Sequence, residues 1–246
     1  MQLFYTPDHA RVGDVIPYYE NGEFKLFYLK NWNPYFGSDK TYGWHLLTTK
    51  DLIHYESETA IGILGGTGCI IKVEGLYHLY YCVFEDQPQR QYVCHATSTD
   101  LTNWTKYPDE TFGPDESIYL LTDWRDPHVI WNEEEKCWWM ILCAQNQGNT
   151  KRRGCVGLCK SADLHHWTCC EPLYAPQSSM SAYECPDLFY MNGWWYLVFS
   201  QFTDRFQTLY RMSRSCNGPW IRPKTDSFDG RAFYAAKTCS NGDRKS

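Results

Sequence analysis

The chain has no basic run longer than the "KRR" at 151–153, and its formal net charge is −6. A surface that tracks phosphates needs clustered Lys and Arg, so no nucleic-acid partner is expected. No apolar run reaches the length of a membrane span, and no membrane partner is expected either. Met1 is followed by "QLFYTPDHARVGD", which lacks the apolar stretch of a secretory signal. A soluble, cytoplasmic protein is the expectation. Paired zinc-knuckle spacing is also missing: Cys155 and Cys159 are four apart, and Cys169 and Cys170 are adjacent. Most of the twelve cysteines sit in strand-like runs such as "LYYCVF" and "WMILCAQ", where Cys acts as a small buried hydrophobe. Free thiols are expected, and no metal site. Helical periodicity is scarce throughout.

What the chain does have is aromatic side chains, 17% of 246 residues, and a repeat. Flat rings stack on the apolar faces of sugars, so this composition hints at a carbohydrate ligand. Four aromatic strands are similar: "GEFKLFYL" (22–29), "GLYHLYYCVF" (75–84), "KCWWMILCA" (136–144) and "GWWYLVFSQ" (193–201). Each follows a turn signal, "ENG", "VEG", "NEEE" or "MNG". Three are followed by a shared phrase, "TTKDLIHYE" (48–56), "TSTDLTNWT" (97–105) and "KSADLHHWT" (160–168), with a fainter fourth in "SRSCNGPWI" (213–221). Asp51, Asp100 and Asp163 of these phrases are 49 and 63 residues apart. That period, with apolar strands and Gly/Asn turns, reads as an all-β propeller, with a β-sandwich as the alternative. The three aspartates read as turn-formers that cap local N–H groups, not as catalytic groups.

In a propeller the first strand of each blade lines the channel. Aligning the repeats puts Asp14 at the start of the first such strand, Asp126 of "WRDPHVI" in the third and Glu184 of "YECPDLF" in the fourth. The second repeat has Gly68 and Cys69 there. Three converging acids repel one another and are costly to desolvate, so stability alone does not explain them. Glycoside hydrolysis does: one carboxylate must be ionised and another protonated, and crowding raises one pKa. Arg125 is placed to keep Asp126 ionised and to reach a sugar hydroxyl. Asp14, Asp126 and Glu184 each also have a plainer reading, as turn residues or a strand-end charge.

"WRDPHV" and "YECPDLF" resemble the RDP and EC motifs of glycoside hydrolase family 32, the β-fructosidases. "GDVIPYYENGEFKLFYL" resembles a degenerate form of the family's opening NDPNG segment, and "YGWHLLTTKDLIHY" its WGHATSxDLxHW segment. The resemblance implies a five-bladed propeller of four-stranded blades and a retaining mechanism on β-fructofuranosides. Asp14 would be the nucleophile, Glu184 the acid/base, and Asp126 the stabiliser of the transition state, assisted by Arg125. Trp44 and Thr67 match positions that touch the sugar, although Trp44 equally suits a core. No organic cofactor or catalytic metal is implied, and the partner is an oligo- or disaccharide substrate. The departures are local. Gly13-Asp14-Val15-Ile16 stands for Asn-Asp-Pro-Asn, Leu29 for a glutamine, and "GTGC" (66–69) for "FSGS". They leave open a related arabinofuranosidase or an inactive carbohydrate-binding propeller.

The expected domain is a single propeller over 1–246. Its fifth blade would be incomplete, built in part from "FDGRAFYAAKTCSNGDRKS" (228–246), with Lys237 at the channel, and from the strand at 2–6. No C-terminal β-sandwich is expected. An unpaired edge invites a second copy of the chain, so a homo-oligomer is expected to complete the open blade.

Overall fold

The computed structural model describes residues 5–31, 43–56, 58–87, 89–148, 150–204 and 206–241. They form an all-β propeller of four antiparallel sheets, each wound from the channel outward in chain order. The first sheet holds β1 (Val12–Glu20), β2 (Glu23–Lys30), β3 (Gly43–Thr49) and β4 (Thr59–Ala60). The second holds β5 (Gly68–Val73), β6 (Leu76–Asp86), β7 (Gln89–Ser98) and β8 (Thr105–Lys106). The third holds β9 (Tyr119–Asn132), β10 (Cys137–Asn146), β11 (Gly154–Ser161) and β12 (Thr168–Tyr174). The fourth holds β13 (Tyr183–Met191), β14 (Trp194–Gln201) and β15 (Gln207–Ser213). Its outer edge is covered by single bridges from Leu209 to Ser227 and from Met212 to Ile221.

Local chemistry sets the repeat. Asn21-Gly22, Glu74-Gly75 and Asn192-Gly193 all have positive φ at both positions, the two-residue turn whose twist matches antiparallel strands. The shared phrase is a turn as well. Thr49 Oγ1 accepts the N–H groups of Asp51 and Leu52, while Asp51 Oδ1 accepts those of Ile53 and His54. Ser98 with Asp100, and Ser161 with Asp163, repeat the pattern atom for atom. The residue after each aspartate, Leu52, Leu101 or Leu164, takes the left-handed conformation that the turn requires. All three carboxyls are held well below their ordinary pKa by these hydrogen bonds.

The core is divided between the blades. Phe27, Leu29 and Leu46 of the first sheet pack on Ile70, Leu79 and Tyr81 of the second. Tyr80 and Val93 pack on Trp124, Met140 and Leu142 of the third, and Trp139 and Ile141 on Leu188, Leu197 and Phe199 of the fourth. Among the described residues no such cluster joins the fourth sheet to the first. The expected fifth blade is not formed there. Residues 228–241 carry no strand. They hold to the start of β15 through Thr208 N–H on the Phe233 carbonyl and Ala232 N–H on that of Phe206. Tyr5 sits against Tyr28 and Tyr55 of the first blade and donates to Glu58 at 2.6 Å. Residues 2–4 and 242–246 of the expected blade lie outside the described residues.

Candidate active site

Each of three inner strands carries a two-residue bulge, early in β1 and β13 and midway along β9. Asp14 and Val15 stand opposite Tyr28, Asp126 and Pro127 opposite Leu142, and Cys185 and Pro186 opposite Phe199. In two of the three the second residue is proline, which has no N–H for a ladder and is tolerated where pairing lapses. The first residue is left-handed each time: Asp14 at φ 40, Asp126 at 57 and Cys185 at 48. Aspartate tolerates that conformation better than most side chains.

This register corrects one part of the repeat alignment. Asp14 and Asp126 are equivalent, but Glu184 is one residue early, since Cys185 fills the bulge. Glu184 is instead the counterpart of Arg125, which also directly precedes its bulge. The two are therefore level in neighbouring blades, and Arg125 Nη2 donates to Glu184 Oε1 at 2.5 Å. The bulge layer is joined separately, where Cys185 N–H donates to Asp126 Oδ2 at 2.9 Å.

Arg125 is the hub. Its Nη1 donates to Asp123 Oδ1 at 2.5 Å and to Gln91 Oε1 at 3.3 Å, and its Nε lies 3.9 Å from Asp126 Oδ2. Gln91 Oε1 also accepts the Trp124 N–H, and Gln145 donates to the free oxygen of Asp123. The guanidinium is thus fixed on all sides before any ligand arrives. Tyr234 O–H donates to Glu184 Oε2, so both oxygens of that carboxylate are engaged. Among the described residues Asp14 has no such donor. Burial pushes its carboxyl up to about 7, and the charges of Asp126 and Glu184 push the same way against Lys237 and Arg125. The raised pKa expected of a crowded acid cluster therefore falls on Asp14.

The tail of the chain reaches this site without forming a strand. Lys237 Nζ donates to the Pro186 carbonyl at 2.8 Å, and Thr238 N–H to the buried Asp187 Oδ2 at 2.6 Å. Asp187 Oδ1 lies 3.3 Å from Nε2 of His128, whose pKa is lowered by burial. Thr67 is buried, and its hydroxyl finds no partner among the described residues. Its carbonyl accepts the Cys82 thiol, at the back of the acid cluster. Trp44 is 1% exposed, packs on Phe27 and donates its indole N–H to the Gly66 carbonyl at 3.1 Å. It lies in the core behind the 66–67 loop and offers the site no surface, because β3 is two strands out from the channel. Sequence reasoning missed Tyr234, Asp123 and Gln91, which converge on the Arg125–Glu184 pair from the strandless tail, from β9 itself and from β7 of the second blade.

The arrangement can do acid/base and nucleophilic work. One acid holds a proton near neutrality, a second is oriented by Arg and Tyr, and a third is buried and tied to backbone. Comparison with known proteins identifies the family. Residues 15–246 match the family described as glycosyl hydrolases family 32, N-terminal domain. Asp14 stands one residue before that span. The chain is 26% identical to a levanbiose-producing levanase of Bacillus subtilis (strain 168) over 96% of its own length and 45% of the levanase. It is 30% identical to a sucrose-6-phosphate hydrolase of Escherichia coli over 64% of its length and 34% of that enzyme. It spans about half the length, or less, of these curated relatives. Its fold is that of the exo-inulinase from Aspergillus awamori, with a TM-score of 0.70 and 17% identity, covering 93% of this chain and 52% of the inulinase.

Proposed function

The chain belongs to glycosyl hydrolase family 32, and from that premise we propose that it cleaves β-fructofuranosides of the sucrose, levan or inulin type with retention of configuration. The observation that carries this is the Arg125 bridge, which ties Glu184 and Asp123 to the strand bulge that presents Asp126, in the field that raises Asp14. Asp14 attacks the anomeric carbon from its half-buried place in the β1 bulge, while Glu184 gives a proton to the departing oxygen. The cluster keeps one proton close to neutral pH, shared among coupled carboxyls. Asp14 surrenders that proton in the productive complex, where Glu184 holds it against the leaving group. In the second half Glu184 takes a proton from water, which attacks the glycosyl–Asp14 ester and frees Asp14. Asp126, with one oxygen on Cys185 N–H, uses the other to accept a sugar hydroxyl. Lys237 completes the sugar-facing set, while Thr67 is buried behind it.

Gly13 and Ile16 stand where the family's opening segment has asparagines, so the sugar is read by fewer side chains on that strand. Substrate range is therefore the part to test. Sugar release would be measured on sucrose, inulin, levan and aryl arabinofuranosides, with Glu184→Gln as control. Turnover of a fructoside that is lost in the variant supports the proposal. Turnover of an arabinofuranoside alone keeps the mechanism and removes fructose. Sugar binding without turnover leaves an inactive carbohydrate-binding propeller.

A further inference from the structure

Outside the acid site, three imidazoles and one carboxylate meet where the second blade abuts the third. His95 on β7 directs Nδ1 at Glu110 Oε2 at 2.5 Å, and His165 directs Nδ1 at Glu110 Oε1 at 2.8 Å. Glu110 closes a single 3₁₀ turn, Pro108–Glu110, and His165 comes from the turn after β11. One donor atom from each of the three residues lies within 4.8 Å of the others. We propose that His95, Glu110 and His165 form a zinc site that clips the second blade to the third, with water in the fourth position.

The donor set is suited to that ion. Zn²⁺ takes two imidazoles and a carboxylate readily, with bonds of about 2.0–2.2 Å. A tetrahedral ion needs its ligand atoms roughly 3.3 Å apart on those bond lengths. The imidazole–carboxylate contacts would thus open by less than about 1 Å, the ion replacing the protons they now share. Glu110 and His165 are half-exposed and able to make that adjustment, while His95 is buried and fixed.

The second coordination layer is already present. Nε2 of His95 lies 3.0 Å from Nδ1 of His78, the contact that orients a ligating imidazole through its far nitrogen. The His95 ring stacks on Tyr80 at 4.6 Å and on His78 at 5.2 Å, with Tyr107 also against it. Tyr80 O–H donates to the Leu164 carbonyl at 2.6 Å, so the two blades are already pinned one residue from His165.

The test is titration of the metal-free full chain with zinc chloride by calorimetry, beside His165→Ala, Glu110→Gln and Cys169→Ser. His165→Ala keeps the Asp163 turn, because that turn uses only the His165 backbone N–H. The expected result is a site of micromolar affinity or tighter, weakened at least tenfold by the first two variants and unchanged by the third. Cobalt loaded in place of zinc should show ligand-field bands without a thiolate charge-transfer band. No uptake, uptake equal in wild type and His165→Ala, or a thiolate band would each overturn the proposal. The first would leave only a hydrogen-bonded cluster, and the last would place the metal on cysteine.

Discussion

Asp14→Asn should make the protein more stable, and increasingly so as pH rises. The folded carboxyl titrates at about 7 against an ordinary 3.8. The folded state therefore binds this proton more tightly than the unfolded chain does. Wild-type stability is lost as pH climbs from about 4 to about 7, and the loss is constant above that. Each pKa unit is worth about 1.4 kcal/mol, so a gap of about 3 units costs about 4 kcal/mol at pH 8. At pH 5 only about 1 unit of the gap is in play, and the cost is about 1.5 kcal/mol. Asparagine removes the charge, keeps the shape and tolerates φ of 40. Water reaches the half-buried carboxylate and screens it, so these figures are upper bounds. Urea unfolding of both proteins at about pH 5 and about pH 8 reads the effect as a difference in unfolding free energy that widens by up to about 2.5 kcal/mol. Parallel curves at the two pH values, or a destabilised variant at pH 8, would refute the reasoning.

The same titration shapes activity. The proton that the cluster holds is the one Glu184 delivers, so kcat/KM should fall as pH rises through an apparent pKa near 7 in the free protein; a profile flat from about pH 6 to 8 would contradict the charge assignment. Asp187→Ala removes the acceptor of Thr238 N–H and so loosens the tail that carries Tyr234 and Lys237. A fall in kcat/KM of about tenfold or more is expected, on the scale of about 2 kcal/mol for a buried acceptor lost, measured with folding confirmed by circular dichroism. The fourth and first sheets share no core among the described residues, so a second copy of the chain is expected to cover the open edge. Light scattering should then show concentration-dependent association, and a heat-stable monomer at every concentration would count against it.

The features readable in the sequence are the local ones. Asn21-Gly22 and Asn192-Gly193 announce hairpins, and Thr49-x-Asp51-Leu52 closes a turn with atoms from six consecutive residues. These need no knowledge of distant chain, which is why the blade repeat could be counted. Bulge register is different, because it depends on which residue of the neighbouring strand is skipped. Asp126 and Glu184 thus look equivalent in a linear alignment, although Cys185 is the true counterpart of Asp126. Tyr234, Gln91 and Asp123 were invisible for a related reason: each reaches Arg125 or Glu184 from its own place in the fold. Trp44 shows the opposite error, a residue in a matching motif whose ring faces the core. The ligands of the candidate zinc site stand at 95, 110 and 165, a spacing with no motif.

The central claim is that Asp14 forms a covalent bond to the sugar and Glu184 resolves it. The most direct measurement is the configuration of the first product when methanol competes with water, read by nuclear magnetic resonance with sucrose as donor. Free fructose scrambles its anomeric centre, whereas a methyl fructoside keeps it. Methyl β-fructofuranoside as the initial product is the result predicted by two displacements at the same carbon. Methyl α-fructofuranoside would mean a single displacement, with Asp14 acting on the incoming alcohol and not on the sugar.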